Sequence, residues 1–232
     1  MTVGKDNEAY IMRIISELNK IDYIKPDEIP NIDLYMDQVT TFMDEHLKAC
    51  KRYEDDKMLT KTMINNYTKN NLLPPPDKKK YSKEHMLLLI FIYYMKSFLT
   101  ISDIQSIFGP LTERFYKNDN SVDLEDIYTG VFASVHEQMD SLTKDVIRRY
   151  TKSQGAFEEV EDPEDRKFLM TFSCICSLSF DVYIKKMIIE RIIDQEIKGK
   201  QKDKDSEKEA AKKEAAKKEA SKKEASKKET EK

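Results

Sequence analysis

The sequence predicts an all-α protein, and three observations support this class. The chain has only five glycines and no tryptophan, and 36% of its residues are charged, which is more typical of helical than of β-rich proteins. Apolar residues recur at helical spacing in most segments. A stretch rich in proline and lysine, residues 74–80, interrupts this pattern and separates two predicted helices. The 232 residues are enough for one sizeable domain with appendages or for two small domains.

The first predicted helix lies in residues 1–29. Asp6 or Asn7 is expected to cap it, because a short polar side chain accepts a hydrogen bond from the first helical turn. Pro26 and Pro30 break the chain after it. Its apolar face consists of Tyr10, Ile11, Ile14, Ile15, Leu18 and Ile21. This face packs either on the rest of the chain or on a second subunit.

Two helices are predicted next, a supporting helix capped by Asp33 and a second helix capped by Thr60. The stretch between them, Arg52–Lys57, is longer than the turn of roughly 3–4 residues usual in a helix-turn-helix. The apolar stripe of the supporting helix is Leu34, Val39, Phe42, Met43 and Leu47. The second helix has an apolar side of Leu59, Met63, Ile64 and Tyr67 and a polar stripe of Thr62, Asn65, Asn66 and Lys69. Asn70-Asn71 and the prolines at 74–76 end it.

A lysine cluster, Lys78 to Lys80, follows the prolines in a segment long enough only for a loop or a small hairpin. Ser82 is then expected to cap the next helix. The window Lys48–Lys83 holds ten basic and four acidic residues, whereas acidic residues predominate in the rest of the chain before its C-terminal tail. A polyanion is therefore attracted to this window and repelled elsewhere. The alternative interpretation is an ordinary solvated lysine cluster.

The order of these elements resembles the winged helix-turn-helix of the MerR transcriptional regulators. The corresponding residues are Tyr67 in the recognition helix, the turn Leu72-Leu73-Pro74, the basic wing Lys78 to Lys80 ending in Tyr81, and Ser82. A closer resemblance, covering roughly residues 30–108, is to the domain of unknown function 1836 family of Gram-positive bacteria. Its pattern is similar to Asp33 to Val39 followed by the block from Leu59 to His85.

The MerR resemblance implies a winged helix-turn-helix domain over residues 30–110 that inserts its recognition helix into the major groove of DNA. The chain departs from the MerR pattern in two places: the usual Arg-Tyr-Tyr of the recognition helix is replaced by Ile64-Asn65-Asn66-Tyr67, and the wing lacks its arginine. The resemblance therefore implies the family's mode of docking on DNA, but not its way of distorting operator DNA. The expected groove residues are Lys61, Thr62, Asn65, Asn66 and Lys69, and the expected backbone contacts are Lys78, Lys79, Lys80 and Tyr81. An asparagine side chain can pair with adenine through N6 and N7. Contacts to phosphate position the protein on the DNA but do not distinguish one base sequence from another.

The next helix, Met86–Met95, is apolar almost all round, which predicts a buried core helix that holds the recognition helix rigid. A cofactor or lipid pocket is the alternative. Thr100 or Ser102 is expected to start a fourth helix, and Gly109-Pro110 to end it. Lys117–Ser121 reads as a polar loop.

Residues 120–200 are expected to form a helical effector or dimerisation domain. Ser121 caps its first helix, which runs to about Tyr150, and Asp162-Pro163 starts its last. The first helix has the stripe Leu124, Ile127, Val131, Val135, Met139, Leu142, Val146 and Ile147. The last helix carries Phe168, Phe172, Ile175, Phe180, Tyr183, Ile184, Met187, Ile188, Ile193 and Ile197. This wide apolar surface packs on a partner subunit or along the chain's own helices.

Residues 201–232 form a charged Lys/Glu/Ala tail with a five-residue period, EAAKK and EASKK. Each Glu is followed by Lys at i+3 and i+4, which supports a helix. A period of five winds the alanines around the helix, so no coiled-coil seam forms. The tail is therefore either a solitary solvated helix or disordered.

No catalytic, cofactor or metal site is predicted. Cys174 and Cys176 would point about 200° apart on a helix, which prevents them from chelating one ion. Three cysteines suit a reducing cytosol. The first residues lack the apolar core of a signal peptide, and the longest apolar stretch, Met86–Met95, is far short of the roughly 20 residues that span a bilayer. A second stretch, Phe168–Phe180, is diluted by Ser, Thr and Cys, so we expect a cytoplasmic protein that does not enter a membrane.

The function predicted from the sequence is that of a bacterial DNA-binding transcriptional regulator. It is expected to bind double-stranded DNA as a homodimer, with an operator and an effector that the sequence does not identify. The alternative is a helical protein-interaction module that keeps a MerR-like scaffold without reading DNA. No motif supports an enzyme.

Overall fold

The computed structural model describes residues 3–18, 23–118 and 121–199. The helices are α1 Val3–Leu18, α2 Met36–His46, α3 Lys61–Lys69, α4 Lys83–Met95, α5 Ile101–Phe115, α6 Leu124–Phe132, α7 Val135–Gln154 and α8 Pro163–Ile192. A 3₁₀ turn covers Lys48–Cys50, a π-helical turn covers Ile193–Gly199, and two short strands are β1 Leu34–Tyr35 and β2 Lys80–Tyr81. This composition confirms the all-α class. The chain divides into two compact units, Met1–Met187 and Ile188–Lys232, and the four predicted domains stay predictions.

Helix α4 forms the centre of the first unit, as its all-round apolar sequence predicts. Every residue from His85 to Ile92 is buried. An aromatic cluster of Tyr23, Phe91, Tyr128 and Phe132 joins α4, α6 and the segment before β1. Within it the Tyr128 hydroxyl donates to the Ile24 carbonyl at 2.6 Å, so a buried phenol has its partner.

The two strands pair antiparallel, with Leu34 opposite Tyr81 and Tyr35 opposite Lys80. This pairing makes the predicted cap of α2 wrong. The chain is extended through Leu34, and the N-cap is Tyr35, whose backbone N–H donates to Gln38 Oε1 at 2.8 Å. Asp33 therefore lies before the strand rather than at the helix.

The prediction that Gly109-Pro110 ends the fourth helix is also wrong, since α5 continues to Phe115 with Pro110 inside it. Phe108 is buried on the turn before Pro110 and Ile104 one turn earlier, and this burial outweighs the loss of one amide donor. The predicted start of α5 is confirmed, because Thr100 Oγ1 accepts from the Asp103 N–H at 3.2 Å.

The single helix predicted from Ser121 to Tyr150 is two helices, α6 and α7, which are separated at residues 133–134. Asp123, not Ser121, caps α6: its Oδ1 accepts from the Asp126 N–H at 2.8 Å. The predicted stripe is only partly buried, since Leu124 is in the core whereas Val131 and Leu142 are exposed.

Helix α1 begins at Val3, so Asp6 and Asn7 lie inside it and do not cap it. Ile11 and Ile15 are buried and α1 contacts α7, which favours packing on its own chain over packing on a second subunit. Ile21 lies outside the described residues, as does the whole tail from residue 201.

Helix α8 begins at Pro163 as predicted and buries Met170 and Cys174. Most of its apolar side chains are exposed, including Phe168 at 66% and Phe180 at 65%. By length and composition alone, Pro163–Gly199 is a helix that could cross a membrane, with 11% of its most apolar window buried. The expectation that Met86–Met95 is the longest such stretch is therefore wrong, because the Ser, Thr and Cys residues of α8 lower its mean hydropathy too little. Localisation stays a prediction.

Candidate nucleic-acid interface

Helix α3 is the predicted recognition helix, and one of its faces is fixed to the core while the other is exposed. Thr60 Oγ1 accepts from the Met63 N–H at 3.2 Å, which confirms the predicted cap. Ile64 is fully buried and Tyr67 is 5% exposed, so the helix cannot rotate without opening the core. The predicted groove residues, Lys61, Thr62, Asn65, Asn66 and Lys69, are all exposed on the other side.

The C-terminal end of α3 is closed by Asn71 in the left-handed region, with φ 55°. The Leu72 N–H donates to the Tyr67 carbonyl at 2.8 Å and the Asn71 N–H donates to the Thr68 carbonyl at 3.1 Å, which is a Schellman motif. Gln105 on α5 also donates to the Asn70 carbonyl. The left-handed residue Asn71 therefore ends the helix, as predicted, three residues before the first proline.

The predicted wing is a tight turn, Asp77–Lys80, and not a longer hairpin. The Lys80 N–H donates to the Asp77 carbonyl at 2.8 Å, and both central residues have positive φ, 46° for Lys78 and 67° for Lys79. This is the type I′ pattern, which favours Asn-Gly. Both central lysines are exposed. A left-handed backbone at two residues with a Cβ is strained, and such strain is concentrated at functional sites.

Tyr81 does not lie with the other predicted backbone contacts. Its backbone pairs with Leu34, its side chain is 3% exposed, and its ring meets His85 edge-on at 5.5 Å between centroids. Burial raises the pKa of its phenol. We therefore remove Tyr81 from the predicted contacts, because a core side chain has no access to a phosphate.

Two residues beside the wing were not predicted. Tyr35 is 54% exposed, and the Lys80 ammonium lies 5.2 Å from its ring centroid, a cation–π geometry. Asp37, at the start of α2, makes an ion pair with Lys61 of the recognition helix. The inward–outward alternation of Leu34 and Tyr35 could have identified Tyr35 as a surface residue.

His85 ties the base of the wing to the core. Its Nδ1 accepts from the Ser82 N–H at 3.0 Å, so His85 closes the first turn of α4 around the predicted cap Ser82. The Tyr116 hydroxyl of the α5 end lies 3.1 Å from Nε2. Burial lowers the pKa of His85, although a hydrogen bond to the Pro75 carbonyl, in the proline segment before the wing, opposes this. The neutral imidazole therefore joins this proline segment to α4 and the end of α5.

The long linker before α3 is held by α4. The Lys96 ammonium donates to the Met58 carbonyl at 2.8 Å, and the Tyr93 hydroxyl donates to Met58 Sδ at 3.1 Å. Burial raises the pKa of Tyr93 to about 12 and lowers the pKa of Lys96. Helix α2 contacts both α3 and β2. Core helices thus position both parts of the candidate interface.

Within the described ranges, no group of three His, Cys, Asp or Glu side chains is placed to hold a metal ion. Cys174 is buried and Cys176 is exposed, so the two thiols face different surroundings. Cys50 is half-buried in the linker, and burial raises the pKa of its thiol.

A family model described as "Domain of unknown function (DUF1836)" matches residues 24–131. The match supports the DUF1836 family. It includes both sequence blocks that carry the resemblance and extends to α6, whose Tyr128 bonds to Ile24 at the other end of the segment. The two ends of this DUF1836 segment are therefore in contact. No curated protein matches the chain, and no solved structure matches it.

Proposed function

We propose that the DUF1836 segment is a winged helix-turn-helix domain of a bacterial transcriptional regulator that binds double-stranded DNA. In this proposal α3 enters the major groove, and Lys78, Lys79 and Lys80 contact the phosphate backbone. The observation that carries it is the two-sided character of α3: one face is locked into the core and the other presents only polar side chains.

The free face of α3 has the chemistry of base recognition. Among the described residues, no hydrogen bond is made by the side chains of Thr62, Asn65, Asn66 or Lys69. An asparagine amide in this state can donate to adenine N7 and accept from adenine N6. Because the backbone of α3 is fixed at both ends, little further ordering is needed when DNA binds.

Fluorescence anisotropy with DNA from upstream of the protein's own operon tests the proposal. Affinity should fall steeply with salt, with a slope of about −0.9 logarithmic units for each phosphate neutralised. Replacing Lys78, Lys79 and Lys80 by Ala should weaken binding to all sequences alike, whereas Lys144→Ala on α7 should have no effect. Salt-independent binding, or none, contradicts the proposal.

We also propose that the regulator is a homodimer joined through α8. One face of this helix carries exposed apolar side chains at spacings of four, three and seven residues, with a fifth beside the last of them: Phe168, Phe172, Ile175, Val182 and Tyr183. Each is more than half exposed, which gives roughly 500 Å² of accessible apolar surface from these five alone. A standard interface covers about 800 Å² per partner, and a second copy would cover the whole face.

Sedimentation at tens of micromolar tests the dimer. The full chain should sediment as a dimer, and Ile175→Asp with Phe172→Asp should sediment as a monomer of unchanged helix content. Lys167→Asp, at an exposed position on another side of α8, is the matched control. A monomeric full chain contradicts the dimer without affecting the DNA proposal.

A protein-interaction module is the second candidate function, and the same exposed α8 face favours it. In that case DNA binding is absent, and the α8 face binds a different protein. The anisotropy measurement separates the two candidates, since only the regulator has a salt-dependent affinity for DNA.

A further inference from the structure

A basic cleft of about 640 Å³ lies between α7 and α8, away from the candidate DNA interface. Its lining residues are Arg148, Arg149, Lys152, Ser153, Ala156, Ser173 and Ser177. Three of these are cations, three carry hydroxyl groups and none is acidic. A volume of this size is within the range of about 300–1,000 Å³ for small-molecule sites.

Arg149 is the fixed element of the cleft. Its Nε donates to Asp145 Oδ2 at 2.5 Å and one of its terminal nitrogens donates to Asp181 Oδ1 at 3.3 Å. These carboxylates come from two different helices, so the guanidinium is clamped between α7 and α8. The hydrogen bond from Arg149 holds the pKa of Asp145 below its usual range, so this carboxylate stays charged. A guanidinium has five N–H donors, and the two carboxylates do not use them all.

Two of the hydroxyl groups, those of Ser173 and Ser177 on α8, lie opposite the cations of α7. The third, that of Ser153, already donates to the Tyr150 carbonyl. Ser177 Oγ lies 3.4 Å from Arg149 as a hydrogen-bond acceptor, which leaves its own O–H group to donate. Ser173 lies one helical turn earlier on the same side of α8, since it also lines the cleft. Arg148 also pairs with Asp145, so the three lining cations lie against two carboxylates, those of Asp145 and Asp181. The remaining excess of one positive charge, in a chain whose net charge is −3, is a local feature that attracts anions.

We propose that this cleft binds the phosphate group of a small phosphate monoester. Arginine matches phosphate through two parallel hydrogen bonds, and serine hydroxyls supply further donors to the remaining oxygens. The cleft is larger than a phosphate ion, so it also accommodates the organic part of an ester. The inference does not depend on DNA binding.

Isothermal titration of the full chain at constant ionic strength tests the site, with inorganic phosphate and glycerol 3-phosphate as probes. The ester should bind saturably with a dissociation constant below about 1 mM, and more tightly than inorganic phosphate. Arg148→Gln with Lys152→Gln should weaken the ester at least about tenfold. Arg149 is left in place, because its removal would strand two carboxylates and destabilise the helix pair.

Lys167→Gln is the matched control, since this lysine is exposed on α8 but does not line the cleft. It should bind the ester as the wild type does. Circular dichroism verifies that the double variant is folded. Three results overturn the proposal: no saturable binding up to about 10 mM, equal binding by the double variant, or tighter binding of inorganic phosphate than of the ester.

Discussion

Replacing Lys78 by Asn and Lys79 by Gly tests whether the wing keeps strained lysines because they bind DNA. Their φ angles are 46° and 67°, and a left-handed backbone costs a residue with a Cβ roughly 1–2 kcal/mol. Asn and Gly adopt this geometry with less strain and are the residues preferred in this turn. Glycine also destabilises the folded state by about 0.5–1 kcal/mol, because it loses more conformational entropy on folding than other residues. We therefore expect the variant to be more stable by roughly 1 kcal/mol.

The same change should weaken DNA binding, because it removes two exposed cations. If each neutralises one phosphate, the slope of log affinity against log salt should become shallower by about 1.8. Stability and affinity should therefore move in opposite directions. A purely structural turn would gain stability and keep its affinity.

Urea unfolding gives the stability, and anisotropy titrations at four salt concentrations give the slope. A variant with Lys144→Gln and Lys167→Gln removes the same charge outside the wing and controls for net charge. An unchanged slope refutes the phosphate contacts. A loss of stability refutes the strained geometry of the turn.

Three further predictions follow from the interface and the wing base. Asn65→Ala and Asn66→Ala should each cost roughly 1–3 kcal/mol on the preferred DNA site and little on random DNA, measured by anisotropy, whereas equal losses would indicate backbone contacts. Asp37→Asn should raise affinity for both DNAs, because it frees Lys61 from an ion pair, and a lower affinity would contradict this. The free energy of unfolding should fall as the pH drops below about 6.5. Below this pH the imidazole of His85 binds a proton in the unfolded state, whereas its lowered pKa keeps it neutral in the folded state. His85→Gln keeps a capping side chain and should flatten this dependence; an unchanged pH profile would exclude His85 as its source.

The sequence correctly predicts the ends of helices that are determined by neighbouring residues. Its predictions are wrong where residues distant in the chain determine the backbone conformation. Thr60, Thr100 and Pro163 act on the turn that follows them, so these boundaries are confirmed. Asp33 has the same local chemistry as Thr60. It fails as a cap because β2, over 40 residues later, pairs with Leu34 and keeps the chain extended. No local pattern carries that information.

The same distant pairing explains what was predicted wrongly at the candidate site. Tyr81 follows three lysines and reads as part of a basic surface, but its register opposite Leu34 directs its side chain into the core. Alternation along the strands then leaves Tyr35 and Lys80 outside, where they meet. The exposure of the predicted groove residues could be predicted, because a helix fixes their spacing by itself.

The linker before α3, which includes Arg52–Lys57, is longer than the turn of a helix-turn-helix. This length argues against the motif only if the linker leaves α3 free to move relative to the core. It is anchored to α4 instead, through Lys96 and Tyr93 at Met58. Strand β2, which follows the turn, contacts the same helix, and its Tyr81 ring meets the His85 ring edge-on. Helix α4 thus carries both candidate contact elements, one near each of its ends. In the proposed winged helix-turn-helix, this rigid central helix would take the place of a tight turn, since it fixes α3 relative to the turn Asp77–Lys80.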